Sequence, residues 1–326
     1  MNGKNLIFLI SLPRSGSTLL QKMLSAGPEI HSVAEPWLML PLAFMLKKEE
    51  MFTPYSHKIA SNALEDLINE LPNGKKDFYE EINKFAISLY KKMIPDGTNK
   101  YFLDKTPRYY LIIPFLAEVF PDAKFIFLFR NPLEVLSSIL TTWKRDRFIL
   151  YKQYVDLYCG PHALSNGYKL LGDRAISVNY AELVKSPEVQ MQKICSYLEI
   201  PFDQSTINNY KSVDFSGSCG DTTGIHQFES VSTSSLEKWK TILNTHYRKW
   251  FSKRYVRYLG NETLMNFGTS VNELTHEINS ITQLRSGSFQ DAYYHFLSNA
   301  MRFGNLELFR KSYRSALKNE RFYPYI

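Results

Sequence analysis

The run Phe125 to Phe129, inside KFIFLFRNP, carries an apolar side chain at every position, and that pattern has few homes. A strand with two apolar faces has to be covered on both, as a central parallel strand is by two helical layers. Short β-branched or aromatic runs recur as LIFLI at Leu6, YFL at Tyr101 and AISVN at Ala175, separated by longer helical patterns. This alternation predicts an α/β fold: a P-loop-like three-layer sandwich around a central, mainly parallel sheet. From Pro41 to Asp96 the pattern is helical and does not repeat, which reads as an insertion. After Lys238 it is helical to the end; Phe289, Tyr293, Phe296 and Ala300, followed by Leu308, Tyr313 and Leu317 beyond Gly304, suggest a terminal helix pair. The expected organisation is a main domain over 1–265 with a helical insertion at about 41–96, and a helical C-terminal extension over 266–326 packed on it.

Composition narrows the partners. Lys and Arg outnumber Asp and Glu 39 to 32, a formal +7 in 326 residues, so an anionic partner is expected, with nucleic acid, anionic lipid and phosphorylated metabolites all open on charge alone. Hydrophobic residues make up 44% and charged residues 22%, which excludes a disordered, collagenous or coiled-coil chain. Cys159, Cys195 and Cys219 form no CxxC pair and no disulfide framework. Leu6 to Ile10 is too short for a signal-peptide core, and no run approaches the roughly 18 apolar residues of a membrane span. A cytoplasmic location without a membrane span is therefore expected. The seven histidines lack metal-ligand spacing and no G-x-S-x-G occurs, so neither a metal site nor a hydrolase nucleophile is expected.

Two strand–turn–helix segments carry the chemistry. In LIFLISLPRSGSTLLQKML a strand leads through small residues into an amphipathic helix whose Leu19, Leu20, Met23 and Leu24 share a face. Amides at such a helix start, with the positive end of its dipole, make an anion site. Against the Walker A pattern, Ser11 replaces the first Gly and Ser17 replaces the Lys, which disfavours a nucleoside triphosphatase. In KFIFLFRNPLEVLSS the central strand ends in Arg130, where magnesium-dependent P-loop enzymes place a carboxylate. An arginine there suits a phosphate dianion. Ser138 follows eight positions later, about two helical turns, near the same edge as Arg130. Together the loops fit one ligand with phosphates at both ends, held without a metal.

PRSGSTLLQ followed by FRNPLEVLSS resembles the paired signatures of sulfotransferases that use 3'-phosphoadenylyl sulfate (PAPS), most of all the branch of carbohydrate and tyrosylprotein sulfotransferases. The resemblance runs from about Leu6 to Trp239. It implies that Arg14, Ser15, Gly16, Ser17 and Thr18 cradle the 5'-phosphosulfate while Arg130 and Ser138 take the 3'-phosphate. NYAELVKSPE is similar to the family's Y-E-x-L segment, with Ala181 where Glu is common, and implies a place for Tyr180 near the adenine. SSLEKWK is similar to a late S-x-K-W segment and implies a cofactor role for Lys238.

Sulfuryl transfer to a hydroxyl needs a base for the acceptor proton and cations for the charge growing on the leaving nucleotide. The resemblance implies Glu35, in HSVAEPWL, as the base and Lys105, in FLDKTPRYY, as the lysine beside the sulfonate; Lys105 also follows a strand at the edge where α/β ligands bind. Asp104 and Arg108 read equally as members of structural ion pairs. TTWKRDRFILYKQY joins Lys144, Arg145 and Arg147 to Trp143, Phe148 and Tyr151, either a solvated helix face or a site for an anionic, ring-bearing acceptor. A glycan or glycolipid hydroxyl is the first expected acceptor and a phenol or peptide tyrosine the second; a nucleotide kinase and a non-catalytic binder of anionic glycans are the rival classes. With the cations assigned to one nucleotide, nucleic acid is not an expected partner.

Overall fold

A computed structural model describes residues 3–48, 53, 55–95, 100–215 and 236–303 of the chain. Strand β1 (Leu6–Ser11) leads into helix α1 (Ser17–Ser25), then β2 (Ile30–Ser32) and α2 (Met39–Phe44). The insertion contributes α3 (His57–Asn69) and α4 (Lys75–Met93), followed by β3 (Tyr101–Asp104), α5 (Ile113–Val119), β4 (Lys124–Phe129) and α6 (Pro132–Lys144). Next come α7 (Gly160–Leu171), β5 (Ala175–Asn179), α8 (Tyr180–Lys185), α9 (Pro187–Leu198) and α10 (Ser205–Asn209). Helices α11 (Lys238–Ile242), α12 (His246–Asn266), α13 (Val271–Ser280) and α14 (Ser288–Phe303) complete the described chain.

The five strands form one parallel sheet in the order β2-β3-β1-β4-β5. All six residues of β1 are buried, and the period of two divides its side chains between the layers. Leu6, Phe8 and Ile10 join Phe102, Phe125, Phe127 and Phe129 in a core shared with α2, α4, α5 and α7. Ile7 and Leu9 join Leu103, Ile126, Leu128 and Val178 under α1, α8 and α9. Three layers follow directly from apolar residues on both faces.

The three-residue β2 was not among the expected strands; it is a short edge strand, paired with β3 alone, without the apolar run that marks the others. The insertion is helical as expected, but Leu67 is 57% exposed and the buried face of α3 is His57, Ser61 and Ile68. A third core joins α6 (Leu133, Leu136, Ile139, Leu140) to Trp239, Phe251 and Leu259 and to Leu274 and Ile278 of α13. The first half of the expected terminal helix pair is α14; Leu308, Tyr313 and Leu317 lie outside the described residues. Among the described residues no helix is long and apolar enough to cross a membrane.

Candidate active site

Because the strands are parallel, their carboxyl ends share one edge, where α/β folds bind ligands. Between β1 and α1 the chain turns through Arg14 at φ 66 and Gly16 at φ 88. The left-handed region is costly for a residue with a Cβ, and a non-glycine residue held there is characteristic of a functional loop. Gly16 meets a second demand: an added Cβ would lie 2.3 Å from Cε2 of Tyr180. Ser15 is 1% exposed, and its Oγ finds no hydrogen-bond partner among the described residues. A buried hydroxyl left unmatched just ahead of the nine-residue α1 suits a bound anion.

Arg14 spans both loops. Its Nε donates to Ser138 Oγ at 3.3 Å and its Nη2 to Thr142 Oγ1 at 3.3 Å, while its guanidinium lies 5.7 Å from the exposed Trp143 ring. Its carbonyl accepts from Arg130 Nη1 at 3.1 Å. Arg130 also stacks on Tyr180, 4.1 Å from the ring centroid. Arg14, Arg130, Ser138, Gly16 and Tyr180 thus share one locality, and Ser15, Ser17 and Thr18 line its loop.

Arg130 has a partner that sequence reading passed over. Its Nε donates to Glu134 Oε2 at 2.7 Å, and both side chains are about nine-tenths buried. Burial pushes the Glu134 carboxyl up, and the guanidinium pulls it back. The i,i+4 spacing was the available signal. Glu134 orients the arginine and leaves other guanidinium donors for an anion.

Glu35 and Lys105, 70 positions apart, meet at the ends of β2 and β3. Lys105 Nζ donates to Glu35 Oε1 at 2.7 Å and to Thr18 Oγ1 at 3.4 Å, and Trp37 Nε1 donates to Glu35 Oε2 at 3.1 Å. The lysine side chain is 1% exposed and the glutamate 11%. A buried carboxylate–ammonium pair therefore sits against the first turn of α1. The fold gathers Glu35, Lys105 and Thr18 on one side and Arg14, Arg130, Ser138 and Tyr180 on the other.

Some expected residues stand apart. Lys238 opens α11, which packs on α6, but its side chain is exposed. Phe148 is 0% exposed, enclosed edge-on by Tyr247, Phe251 and His295, so it is a core residue and no acceptor platform. Arg108 makes the expected structural ion pair, donating from Nε and Nη2 to both oxygens of buried Asp156. Asp104 has hydroxyl partners instead, Tyr90, Thr106 and Tyr109.

Over 136 residues the chain is 33% identical to the nodulation protein NoeE of Sinorhizobium fredii (strain NBRC 101917 / NGR234), covering 42% of this chain and 31% of that protein. It is 25% identical over 216 residues to a protein-tyrosine sulfotransferase of Drosophila melanogaster, covering 64% of this chain and 41% of that one. The chain thus spans well under two thirds of the length of these relatives. Among solved structures, the sulfotransferase domain from the curacin biosynthetic pathway superposes with a TM-score of 0.50 at 22% identity, covering 78% of this chain and 96% of that domain, and so shares the fold. The family model described as the sulfotransferase family matches residues 6–204, more than half of the 326, and takes in both loops, Glu35 and Lys105; the chain belongs to the sulfotransferase family.

Proposed function

We propose that this chain transfers a sulfuryl group from PAPS to an acceptor hydroxyl, and that the acceptor is a glycan or glycolipid. The carrying observation is the buried Glu35–Lys105 pair beside Thr18, a carboxylate and an ammonium at the mouth of an anion-binding loop. PAPS supplies a sulfuryl group whose bond to the 5'-phosphate oxygen breaks as the acceptor oxygen bonds to sulfur, with adenosine 3',5'-bisphosphate as the other product. Ser15, Gly16, Ser17 and Thr18 hold the 5' end through the Ser15 hydroxyl and the loop amides, while Arg14, whose backbone belongs to the same loop, turns its guanidinium toward Ser138 on the 3' side. Arg130 and Ser138 hold the 3'-phosphate, the arginine by a charge-assisted pair. Tyr180 lies against the nucleotide between them, and Lys238, exposed at the start of α11, is not drawn into this group of contacts. Glu35 takes the acceptor proton at a carboxylate oxygen, and Lys105 offsets negative charge on the transferring group.

For the acceptor, the half-exposed Trp143 beside Arg14, with Lys144 and Lys152 each within 6 Å of the Tyr151 ring, supports a ring-bearing hydroxyl compound. The relatives named protein-tyrosine sulfotransferases favour a second reading, a peptide tyrosine. Transfer of radiolabelled sulfate, screened over glycans, glycolipids and tyrosine peptides, decides between them, and label on peptide alone would replace the first reading by the second. Calorimetry tests the donor: adenosine 3',5'-bisphosphate binds without magnesium, and preference for ATP with magnesium would overturn the proposal. Glu35→Gln is expected to abolish transfer, a loss of at least about 100-fold, while bisphosphate affinity stays within about twofold. A fully active variant would reassign the base.

A further inference from the structure

We infer that Asp104 is a positioning residue for Glu35, acting through Thr106 and Tyr109 on the backbone of Trp37 and Met39. The inference rests on the reading of Glu35 as the base.

Glu35 lies between the last residue of β2 and the first of α2, where no ladder of strand hydrogen bonds holds the backbone. One end of this segment is fastened by buried Gln21, whose Nε2 donates to Ser32 Oγ and Val33 O, each at 2.8 Å. The far end depends on two hydroxyls. Trp37 N donates to Thr106 Oγ1 at 3.3 Å, and Met39 N donates to Tyr109 Oη at 3.1 Å. Trp37 needs that support, since its φ of 53 places a bulky residue in the left-handed region, a conformation that persists only where the surroundings over-determine it. In that conformation its indole N–H meets Glu35 Oε2.

The direction of these bonds singles out Asp104. A backbone N–H only donates, so both hydroxyls must accept from it and send their own protons elsewhere. Both send them to Asp104: Thr106 Oγ1 donates to Oδ1 at 3.1 Å and Tyr109 Oη to Oδ2 at 2.9 Å. Tyr90 of α4 adds a third donor to Oδ2, at 2.6 Å. An ionised carboxylate accepts on both oxygens and donates on neither, so it orients all three hydroxyls at once. Asp104 is 0% exposed, and its two carboxylate oxygens are taken by Tyr90, Thr106 and Tyr109, whereas the adjacent Lys105 is the residue that bonds the base. Asp104 therefore touches no reacting group, and its influence passes through the Trp37–Met39 backbone.

The test compares kcat, acceptor KM and bisphosphate affinity in Asp104→Asn, Thr106→Val, Thr106→Ser and Tyr109→Phe, with Glu35→Gln in parallel. A carboxamide presents an N–H to hydroxyls that need an acceptor, and valine removes the acceptor for Trp37 N. Both variants are expected to lose kcat by about tenfold or more, because small misplacements of a base are costly, with acceptor KM and bisphosphate affinity within about twofold. Thr106→Ser keeps the hydroxyl and recovers most of the loss. Wild-type kcat in Asp104→Asn and Thr106→Val beside an inactive Glu35→Gln overturns the positioning role and leaves the base in place. A fully active Glu35→Gln overturns the base itself. Bisphosphate affinity falling in step with kcat assigns Asp104 a merely structural role and also overturns the inference. Should Asp104→Asn fail to fold, Thr106→Val and Tyr109→Phe carry the same comparison.

Discussion

At the scale of single residues, Asp104 is a charge the fold holds at some expense. Burial pushes its carboxyl from 3.8 to about 6, against hydrogen bonds from Tyr90, Tyr109 and Thr106 and the field of Lys105, all of which favour the ionised form. A carboxyl raised on folding binds its proton more tightly in the native state than in the unfolded one. Between those two values the native state therefore carries more protons, and stability falls as pH rises from about 4 to about 6. The interval from 3.8 to about 6 corresponds to roughly 3 kcal/mol. Urea unfolding of wild type and Asp104→Asn at a series of pH values is expected to show this: wild type loses up to roughly 3 kcal/mol relative to the variant across that window, and the difference levels off above it. Parallel curves would mean that the carboxyl does not titrate there. A penalty carried at neutral pH is coherent with a positioning role, since an apolar replacement would spare it and lose the orientation of three hydroxyls.

At the scale of elements, the loop between β1 and α1 is constrained from two directions. Gly16 needs its positive φ and also the absence of a Cβ, because the Tyr180 ring occupies that space. Gly16→Ala is expected to destabilise the protein by about 1–3 kcal/mol and to weaken bisphosphate binding by about tenfold, since the loop amides shift with the backbone. Thermal melting and calorimetry read the two effects, and adding Tyr180→Ala should return part of the loss if the ring contact dominates. The same loop illustrates what the sequence discloses. β1, β3, β4 and β5 were legible because each is a short run rich in β-branched or aromatic residues, and the two turns proposed to bind anions were legible because small residues or an arginine follow β1 and β4 directly. β2 was hidden because three residues at a sheet edge carry no periodicity. Glu35 and Lys105 were named from the resemblance, but their contact across 70 positions is made by the sheet order, which places β2 beside β3. Thr106, Tyr109 and Asp104 as a network, and Trp37 in its left-handed turn, had no signal of their own: each is an ordinary residue until the third dimension sets it against the Glu35 segment. Phe148 shows the reverse error. Its aromatic ring among basic residues suggested an acceptor surface, whereas the end of α6, with Arg145 at φ 48 and Asp146 at φ 63, turns the chain and buries the ring under α12.

At the scale of the whole molecule, the question is whether the helices after residue 265 form a separate extension or belong to the body that holds the site. Their connections run straight to α6, the helix carrying Ser138. Leu274 and Ile278 share a core with Leu136 and Ile139. Arg248 of α12, 1% exposed, donates to Asp291 of α14 from Nε at 3.0 Å and Nη2 at 2.8 Å, and from Nη1 to Asp146, just past the end of α6, at 2.6 Å. Thr245 Oγ1 donates to the same Asp291 at 2.8 Å. Breaking a buried pair by removing one partner costs about 3–5 kcal/mol, and Arg248 would keep Asp146, so Asp291→Asn is expected to cost about 3 kcal/mol. If α12 to α14 unfold together with the sheet and the loops at its edge, calorimetric melting shows one transition. Adenosine 3',5'-bisphosphate at about 100 times its dissociation constant should stabilise all of it by about 2.7 kcal/mol, and Asp291→Asn should move the same transition down. Two transitions, with the bisphosphate raising one and Asp291→Asn lowering the other, would divide the chain near residue 265 and make the helical end a domain of its own. The core shared by α6 and α13 and the Arg248 bridge between α6 and α14 argue for one transition, because neither side can open without exposing a charge or an apolar face that the other covers.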